Sequence, residues 1–386
     1  VQPLKGIRVV EFCSVAAGPF CAMLLADMGA DVVKVEHPEG GDSMRAWPPM
    51  SEGFSENFAS VNRNKRSVAL NLKDADDNAR ARELAAGADV VIENNRPGVM
   101  ARLGLDFATL SAINSKLVYC SISAFGQDGP RAGEAGFDLT IQAMAGVMSV
   151  TGEEGGAPVK CGVPLSDFAT GLYAAFAVAS ALRDVREHGK GTHIDASMFG
   201  ASLAVGALQT SQYFGSGIDP VKLGSAHPRN APYQAFKVSD GYVAMAAGNN
   251  ALFRSAAAAI GREELAGLAR FGSTALRAQH QAELKQIFES AFETLSVPQV
   301  LAMFRQAGVP CAPINSYSDA LADEQVEFMG WVQPLELPSG VVTRTFASPL
   351  RFDGRGQPIY RRPPALGEHN AEIFGEAPAT VEAGHG

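Results

Sequence analysis

No two of the chain's five cysteines, Cys13, Cys21, Cys120, Cys161 and Cys311, stand at CxxC spacing, and their number is odd. Neither a disulfide framework nor a zinc site is expected from that pattern. Cys13, Cys21 and Cys120 fall in apolar runs, where buried reduced thiols are expected. Positive charge is also short. The 32 Lys and Arg are outnumbered by 41 Asp and Glu, leaving a net charge of −9. A general nucleic-acid binder is basic, so no nucleic-acid partner is expected. The acidity leaves room for an anionic ligand, because a local basic cluster can sit in an acidic surface. Val1 to Glu11 runs straight into a strand-like segment, without a basic region followed by an apolar one. No secretory signal is read there, and a cytoplasmic protein is expected. The longest membrane-like stretch, Gly171 to Leu182, falls short of the ~20 residues a spanning helix needs, so no membrane partner is expected.

Common catalytic signatures are missing too. The first strand is followed by Cys13-Ser-Val-Ala-Ala-Gly-Pro19 in place of GxGxxG. A nucleotide redox cofactor is therefore disfavoured. No P-loop, GxSxG or HExxH occurs. His37, His193 and His227 show no ligand spacing, so no metal is expected. Internal repeats and low-complexity tracts are absent.

What is present is an alternation of strands and helices. At 386 residues, 46% of them hydrophobic, the chain is long enough for two domains. Ile7–Phe12, Asp31–Glu36, Asp89–Glu93 and Leu117–Ser123 read as strands. Helices are expected after Gly18-Pro19, ending at Gly29, near Ala75 to Ala86, and at Phe107 to Ile113. Gly171 to Leu182 reads as a buried helix, broken by His188-Gly-Lys-Gly191. Thr192 to Ala196 then leads into a further helix through Leu208. This is the pattern of an α/β fold with a parallel, doubly wound sheet, whose ligands gather at the carboxyl ends of the strands. Residues 215–231 are rich in Gly, Pro and Ser and mark a crossover. From Tyr233 to Gly308 the sequence reads as a compact α/β unit, with Tyr242 to Ala246 as a strand. The expected division is a large domain over 1–214, a small domain with its crossover over 215–313, and a return to the large domain over 314–386.

Two groups of polar residues stand out. Arg63-Asn64-Lys65-Arg66, with Lys73, Arg96 and Arg102, could hold a polyanion such as a nucleotide phosphate if it lies in loops after parallel strands. The alternative is a solvated charged face. Asp167, in Gly162-Val-Pro-Leu-Ser-Asp-Phe-Ala-Thr-Gly171, precedes an apolar helix. Local grounds alone favour a helix N-cap there. Asp138, in Gly136-Phe137-Asp138, supplies a second acidic residue in a glycine-flanked loop.

Several segments, taken in order, resemble one family. They are Pro3 to Phe12, Ala17-Gly-Pro19, Ala26 to Glu36, Asn64-Lys-Arg-Ser67, Val91 to Asn94 with Arg96-Pro-Gly98, Phe125 to Pro130, Gly136 to Asp138, and Pro164 to Asp167. Together these resemble the family III coenzyme A transferases, the group that includes formyl-CoA and carnitine CoA-transferases and the related α-methylacyl-CoA racemases. The resemblance covers nearly the whole chain. It implies a Rossmann-like large domain, a smaller α/β domain, and an interlocked, ring-like homodimer. It implies that Asp167 is the nucleophile. It places CoA on Ala16, Ala17, His37, Leu70, Lys73, Asn94, Asn95, Arg96 and Arg102, and on Ala135, Gly136, Phe137 and Asp138. The substrates would then be an acyl-CoA and a carboxylic acid.

Two departures narrow the reading. The racemase branch carries a histidine where this chain has Phe137, and a racemase needs two groups to remove and return the α-proton. The formyl-CoA transferases carry a run of glycines where this chain reads Ser225 to Gln234, which tells against oxalate and formyl-CoA as substrates. A family glutamine near the active site aligns with Ala16. Each tetrahedral intermediate needs oxyanion donors, for which Gly248, Asn249 and Asn250 are candidates, with an ordinary turn as the alternative. Arg229, among polar groups of the small domain, could grip a distal carboxylate or tie the crossover to a dimer partner. The expected activity is CoA exchange, with succinyl-CoA a candidate donor, through an aspartyl anhydride and thioester. An acyl-CoA racemase and a non-catalytic CoA-binding protein are the competing readings.

Overall fold

A computed structural model describes residues 1–375. The chain divides into two units. The first comprises Val1–Val147, Lys160–Ser216 and the chain from Glu324 on, and the second comprises Met148–Val159 and Gly217–Asp323. Residues 376–386, the end of the expected return segment, lie outside the described residues.

The main sheet of the first unit has six strands: β1 Arg8–Phe12, β2 Asp31–Glu36, β3 Lys65–Ala69, β4 Val90–Glu93, β5 Val118–Ser123 and β6 Thr192–Ser197. Runs such as Asp31-Val-Val-Lys-Val-Glu36 and Val90-Val-Ile-Glu93 are buried on both faces, as strands of a parallel sheet must be. The order is β3-β2-β1-β4-β5-β6, and every pairing is parallel. This is the order of the doubly wound dinucleotide-binding fold. Its direction reverses between β1 and β4, so their carboxyl ends flank the topological switch point where such sheets bind ligands.

Helix α1, Ala17–Asp27, packs against the 24-residue helix α4, Leu165–His188. Cys21, Ala22 and Leu25 meet Ala174 and Val178 in one buried cluster with Val9, Val90 and Ile92 of the sheet. The approach is close. A Cβ at Gly171 would stand 2.9 Å from the Ala17 carbonyl oxygen, so this position requires glycine. On the opposite face, α2, Ala75–Ala86, is capped by Asp74, whose side chain accepts the N–H groups of Asp76 and Asp77. α4 is longer than the apolar run Gly171 to Leu182: it begins at Leu165, six residues before that run, and continues through a polar last turn to Gly189 in the left-handed conformation.

The basic cluster at 63–66 is neither a phosphate-holding loop nor a solvated face. Lys65 and Arg66 open edge strand β3, and their charges are spent inside the unit. Arg63 pairs with Asp27 at 2.6 Å, Lys65 with Glu11 at 2.8 Å, and Arg66 with Asp31 at 2.5 Å. The chain beyond Glu324 returns along this edge. His369 Nδ1 accepts the Ser67 N–H and Asn370 Oδ1 accepts the Ala69 N–H. The edge donors that would otherwise template another strand are thereby filled.

The second unit holds an antiparallel sheet of β7 Tyr233–Val238, β8 Gly241–Ala246 and β9 Cys311–Pro313, in the order β9-β8-β7. Phe236, Phe253, Phe271, Phe288, Phe292 and Phe304 fill its core. They come largely from β7 and from the helices Asn250–Ala259, Gln281–Phe292 and Val297–Gln306. Residues 148–159, inside the span read as the large domain, belong here instead. Their carbonyls at Gly152 and Gly156 accept Gly224 N–H at 2.9 Å and Lys222 Nζ at 2.8 Å.

Candidate active site

Two cavities open at the carboxyl ends of the parallel strands. The first, of about 460 Å³, is lined by residues that follow β1, β2, β3 and β4, among them Ser14, His37, Leu70, Lys73, Asn95 and Arg102. The second, of about 220 Å³, is lined by residues that follow β1, β4, β5 and β6, together with Asp167. Ser14 and Asn95 line both. They follow β1 and β4, so the two cavities meet at the switch point.

The first cavity is cationic at its rim. His37, Lys73 and Arg102 are all exposed, and no acidic side chain among the described residues pairs with Lys73 or Arg102. Glu36 also lines this cavity but is committed elsewhere. Arg45 grips both its oxygens, at 2.8 Å and 2.7 Å. Burial pushes the Glu36 carboxyl up, but Arg45, Lys34 and Ser67 outweigh it and bring it down to about 2. An oligophosphate fits such a rim by charge.

The loop between β1 and α1 forms the shared floor, and a buried charge cluster fixes it. Lys34, 0% exposed, donates to the Cys13 carbonyl at 2.7 Å and pairs with Glu11 and Asp42, each at 3.0 Å. Lys65 reaches the far end of the loop, donating to the Pro19 carbonyl at 2.9 Å. Burial lowers the Lys34 pKa, but Glu11, Asp42 and Glu36 together outweigh it and hold the ammonium above the usual lysine value. For Lys65, burial prevails and its pKa is lowered. Asp42 also accepts the Val15 N–H at 3.0 Å. Asn94 fixes Ser14 from the other side, accepting its N–H at 3.0 Å and donating to its carbonyl at 2.8 Å.

Asp167 stands in the first turn of α4, whose N-cap position is Pro164. It is therefore a residue inside the helix, and the local N-cap reading is corrected. The orphan N–H of Ser166 is served instead by Asp138 Oδ1 at 2.9 Å. Among the described residues the Asp167 carboxylate accepts no hydrogen bond. Burial, followed by the nearby negative charge of Asp138, pushes its carboxyl up to about 7. It faces a cavity lined by Ala16, Ala17, Asn94, Asn95, Arg96, Ala135, Gly136 and Phe137. A half-buried carboxylate with nothing to hold it is available to attack an electrophile.

The residues that the resemblance assigned to CoA thus gather in these two cavities, with one difference. Asp138 does not line either. Sequence reasoning missed Val15, Glu134, Met198 and the segment Ile122 to Ala124, which also line the Asp167 cavity. Their signal was position: Ala124 directly follows β5 and Met198 directly follows β6. The remaining candidates belong to the second unit. Asn249 caps the helix that follows it, accepting the Leu252 N–H at 2.9 Å, and Asn250 accepts from Arg277 at 2.9 Å. These two side chains therefore have structural partners. Arg229 is exposed, and its N–H donates to His227 Nδ1 at 3.1 Å. Among the described residues no group of three or more His, Cys, Asp or Glu side chains could hold a metal ion.

The family model of CoA-transferase family III matches residues 4–370. The chain is 40% identical to a succinate–glutarate CoA-transferase of Agrobacterium fabrum, over 97% of this chain and 95% of that protein. It is 36% identical to the succinyl-CoA:glutarate CoA-transferase of Homo sapiens, over 97% of this chain and 86% of that one. Among solved structures, a CAIB/BAIF family protein from Brucella suis superposes with a TM-score of 0.86 at 40% identity, covering 97% of this chain and 99% of that one.

Proposed function

The chain belongs to CoA-transferase family III, and from that premise we propose that it exchanges CoA between succinyl-CoA and a small dicarboxylic acid through the carboxylate of Asp167. The observation that carries this reading is the Asp167 carboxylate itself, unbonded, pushed up to about 7, and set in a cavity that meets a cationic one at Ser14 and Asn95. The cationic cavity suits the phosphates of CoA, and the Asp167 cavity suits the thioester.

In the proposed sequence, an Asp167 oxygen attacks the acyl carbonyl of the donor, and the C–S bond breaks. This gives a mixed anhydride and CoA thiolate. The thiolate attacks the aspartyl carbonyl, releasing the donor acid and leaving an aspartyl-CoA thioester. The acceptor carboxylate then attacks that thioester, re-forming an anhydride and the thiolate. Attack of the thiolate on the acceptor's acyl carbon completes the exchange and restores Asp167. Water must stay away from the anhydride, which the recessed position of Asp167 favours.

The choice of acids rests on the relatives, whose names give succinate or succinyl-CoA and glutarate. The decisive comparison sets succinyl-CoA as donor against glutarate, malate and butyrate as acceptors. Preference for glutarate supports the reading, and preference for butyrate overturns the choice of acid. The racemase reading is separated by incubating a 2-methylacyl-CoA in deuterated water. Phe137 lines the Asp167 cavity at the position of the racemase histidine. No enzyme-dependent deuterium uptake is expected, and uptake at roughly 1 s⁻¹ would contradict it.

The same reading includes a homodimer. Leu172, Tyr173 and Phe176 of α4 lie exposed beside Val163 and Val205, an apolar face that a second copy would cover. Light scattering of the purified protein tests this by mass.

A further inference from the structure

Asp138 is the one motif residue assigned to CoA that turns away from the cavities, and its surroundings give it other work. Its Oδ1 accepts the Ser166 N–H at 2.9 Å, and its Oδ2 accepts from Gln142 Nε2 at 2.8 Å. Gln142, wholly buried, in turn accepts the Cys161 N–H at 2.9 Å through its Oε1. Ser166 is also wholly buried and receives the Ser202 hydroxyl at 2.8 Å. A continuous hydrogen-bonded chain therefore runs from Cys161 through Gln142 and Asp138 to the backbone of the residue beside the nucleophile. Asp138 opens helix α3, Asp138–Met144, directly after Phe137, which forms one wall of the Asp167 cavity. The same carboxylate thus joins the 134–137 wall to the first turn of α4.

We propose that Asp138 is a positioning residue for the transfer reaction, which fixes the first turn of α4 against the 134–137 wall, and that it is not a CoA ligand. This rests on the reading of Asp167 as nucleophile. The geometry has an electrostatic corollary. Asp138 is the neighbouring charge that, after burial, pushes the Asp167 carboxyl up. Other charged or titratable groups lie on elements packed against α4, namely Cys21 and Asp27 on α1, Tyr119 and Cys120 on β5, and His193 and Asp195 on β6, while Glu134 and Arg96 line the cavity. Replacing Asp138 by Asn keeps an oxygen for the Ser166 N–H but removes the charge and sets an amide N–H against the Gln142 Nε2 donor. Replacement by Ala removes both oxygen and charge.

The test is the pH profile of succinyl-CoA to glutarate transfer by wild type, Asp138→Asn and Asp138→Ala, with CoA binding measured by calorimetry. For Asp138→Asn the ascending limb is expected to move to lower pH by about half a unit to one unit, because a like charge has been removed. For Asp138→Ala, kcat at the plateau is expected to fall about tenfold to a hundredfold, the cost of a misplaced reacting group, with Kd for CoA within about threefold of wild type. A plateau kcat in Asp138→Ala within about threefold of wild type overturns the proposal, and if Asp138→Ala fails to fold, an unchanged kcat together with an unmoved limb in Asp138→Asn overturns it. A Kd raised more than tenfold with kcat retained also overturns it, and would return Asp138 to the CoA site. Asp167→Asn is assayed alongside. If it retains transfer, the nucleophile assignment fails whatever the Asp138 variants do.

Discussion

Asp42 accepts the backbone N–H of Val15 at 3.0 Å, and Val15 holds a φ of +67°. A β-branched residue in the left-handed region is strained, at a cost on the order of 1–3 kcal/mol. Asp42 offsets that cost while pairing with Lys34. The loop so held supplies Ser14, Val15, Ala16 and Ala17 to the cavity that Asp167 faces. Asp42→Ala strands a buried ammonium contact and a backbone donor together. It is expected to destabilise the protein by about 3 kcal/mol, read as the shift in urea midpoint. A loss below about 1 kcal/mol would mean that the loop holds itself.

Two lysines eight positions apart have opposite roles. Lys65 is wholly buried against Glu11, whereas Lys73 is exposed at the rim of the cationic cavity. Lys73→Ala and Arg102→Ala are expected to raise KM for the acyl-CoA by about tenfold each, equivalent to ~1.4 kcal/mol. Stability should hardly change, and the effect should shrink at high salt. Lys65→Met is expected to lower the urea midpoint. If Lys73→Ala leaves KM unchanged between 20 and 50 mM salt (about the range where screening is weak), the phosphates of CoA do not lie there.

Those lysines mark how far the sequence could be read. Strand β2 and helix α2 were legible, because the apolar Val-Val-Lys-Val run and the alternation of strands with helices follow simple patterns. Strand β3 was not. Its charges read as a polyanion site or a solvated face, since composition cannot reveal that Glu11, Asp27 and Asp31, distant in sequence, neutralise them. Asp167 was singled out by its motif, but local reasoning favoured a cap. The actual acceptor for the Ser166 N–H is Asp138, 28 positions away, a tertiary contact no helix rule contains. The transfer of 148–159 to the second unit depends on hydrogen bonds to Gly224 and Lys222, which no local signal announces.

The raised carboxyl of Asp167 links activity to stability. Only the ionised form attacks a thioester, so kcat/KM should rise with pH through about 7 and fall away below it. For stability the sign is reversed. A carboxyl whose folded pKa lies above its unfolded value makes its full contribution below the unfolded value, and loses it as pH rises through about 7. Asp167→Asn should therefore melt higher than wild type above neutral pH, with the difference shrinking in acid. Equal melting temperatures throughout would show that the carboxyl is not raised.

The proposed transfer requires a covalent bond to Asp167. During turnover with succinyl-CoA and glutarate, hydroxylamine should intercept the activated aspartyl carbonyl and inactivate the enzyme. Peptide mass spectrometry should then locate a hydroxamate on Asp167, absent when succinyl-CoA is omitted. Transfer that continues unaffected in hydroxylamine, or a hydroxamate on another carboxylate, contradicts the assignment.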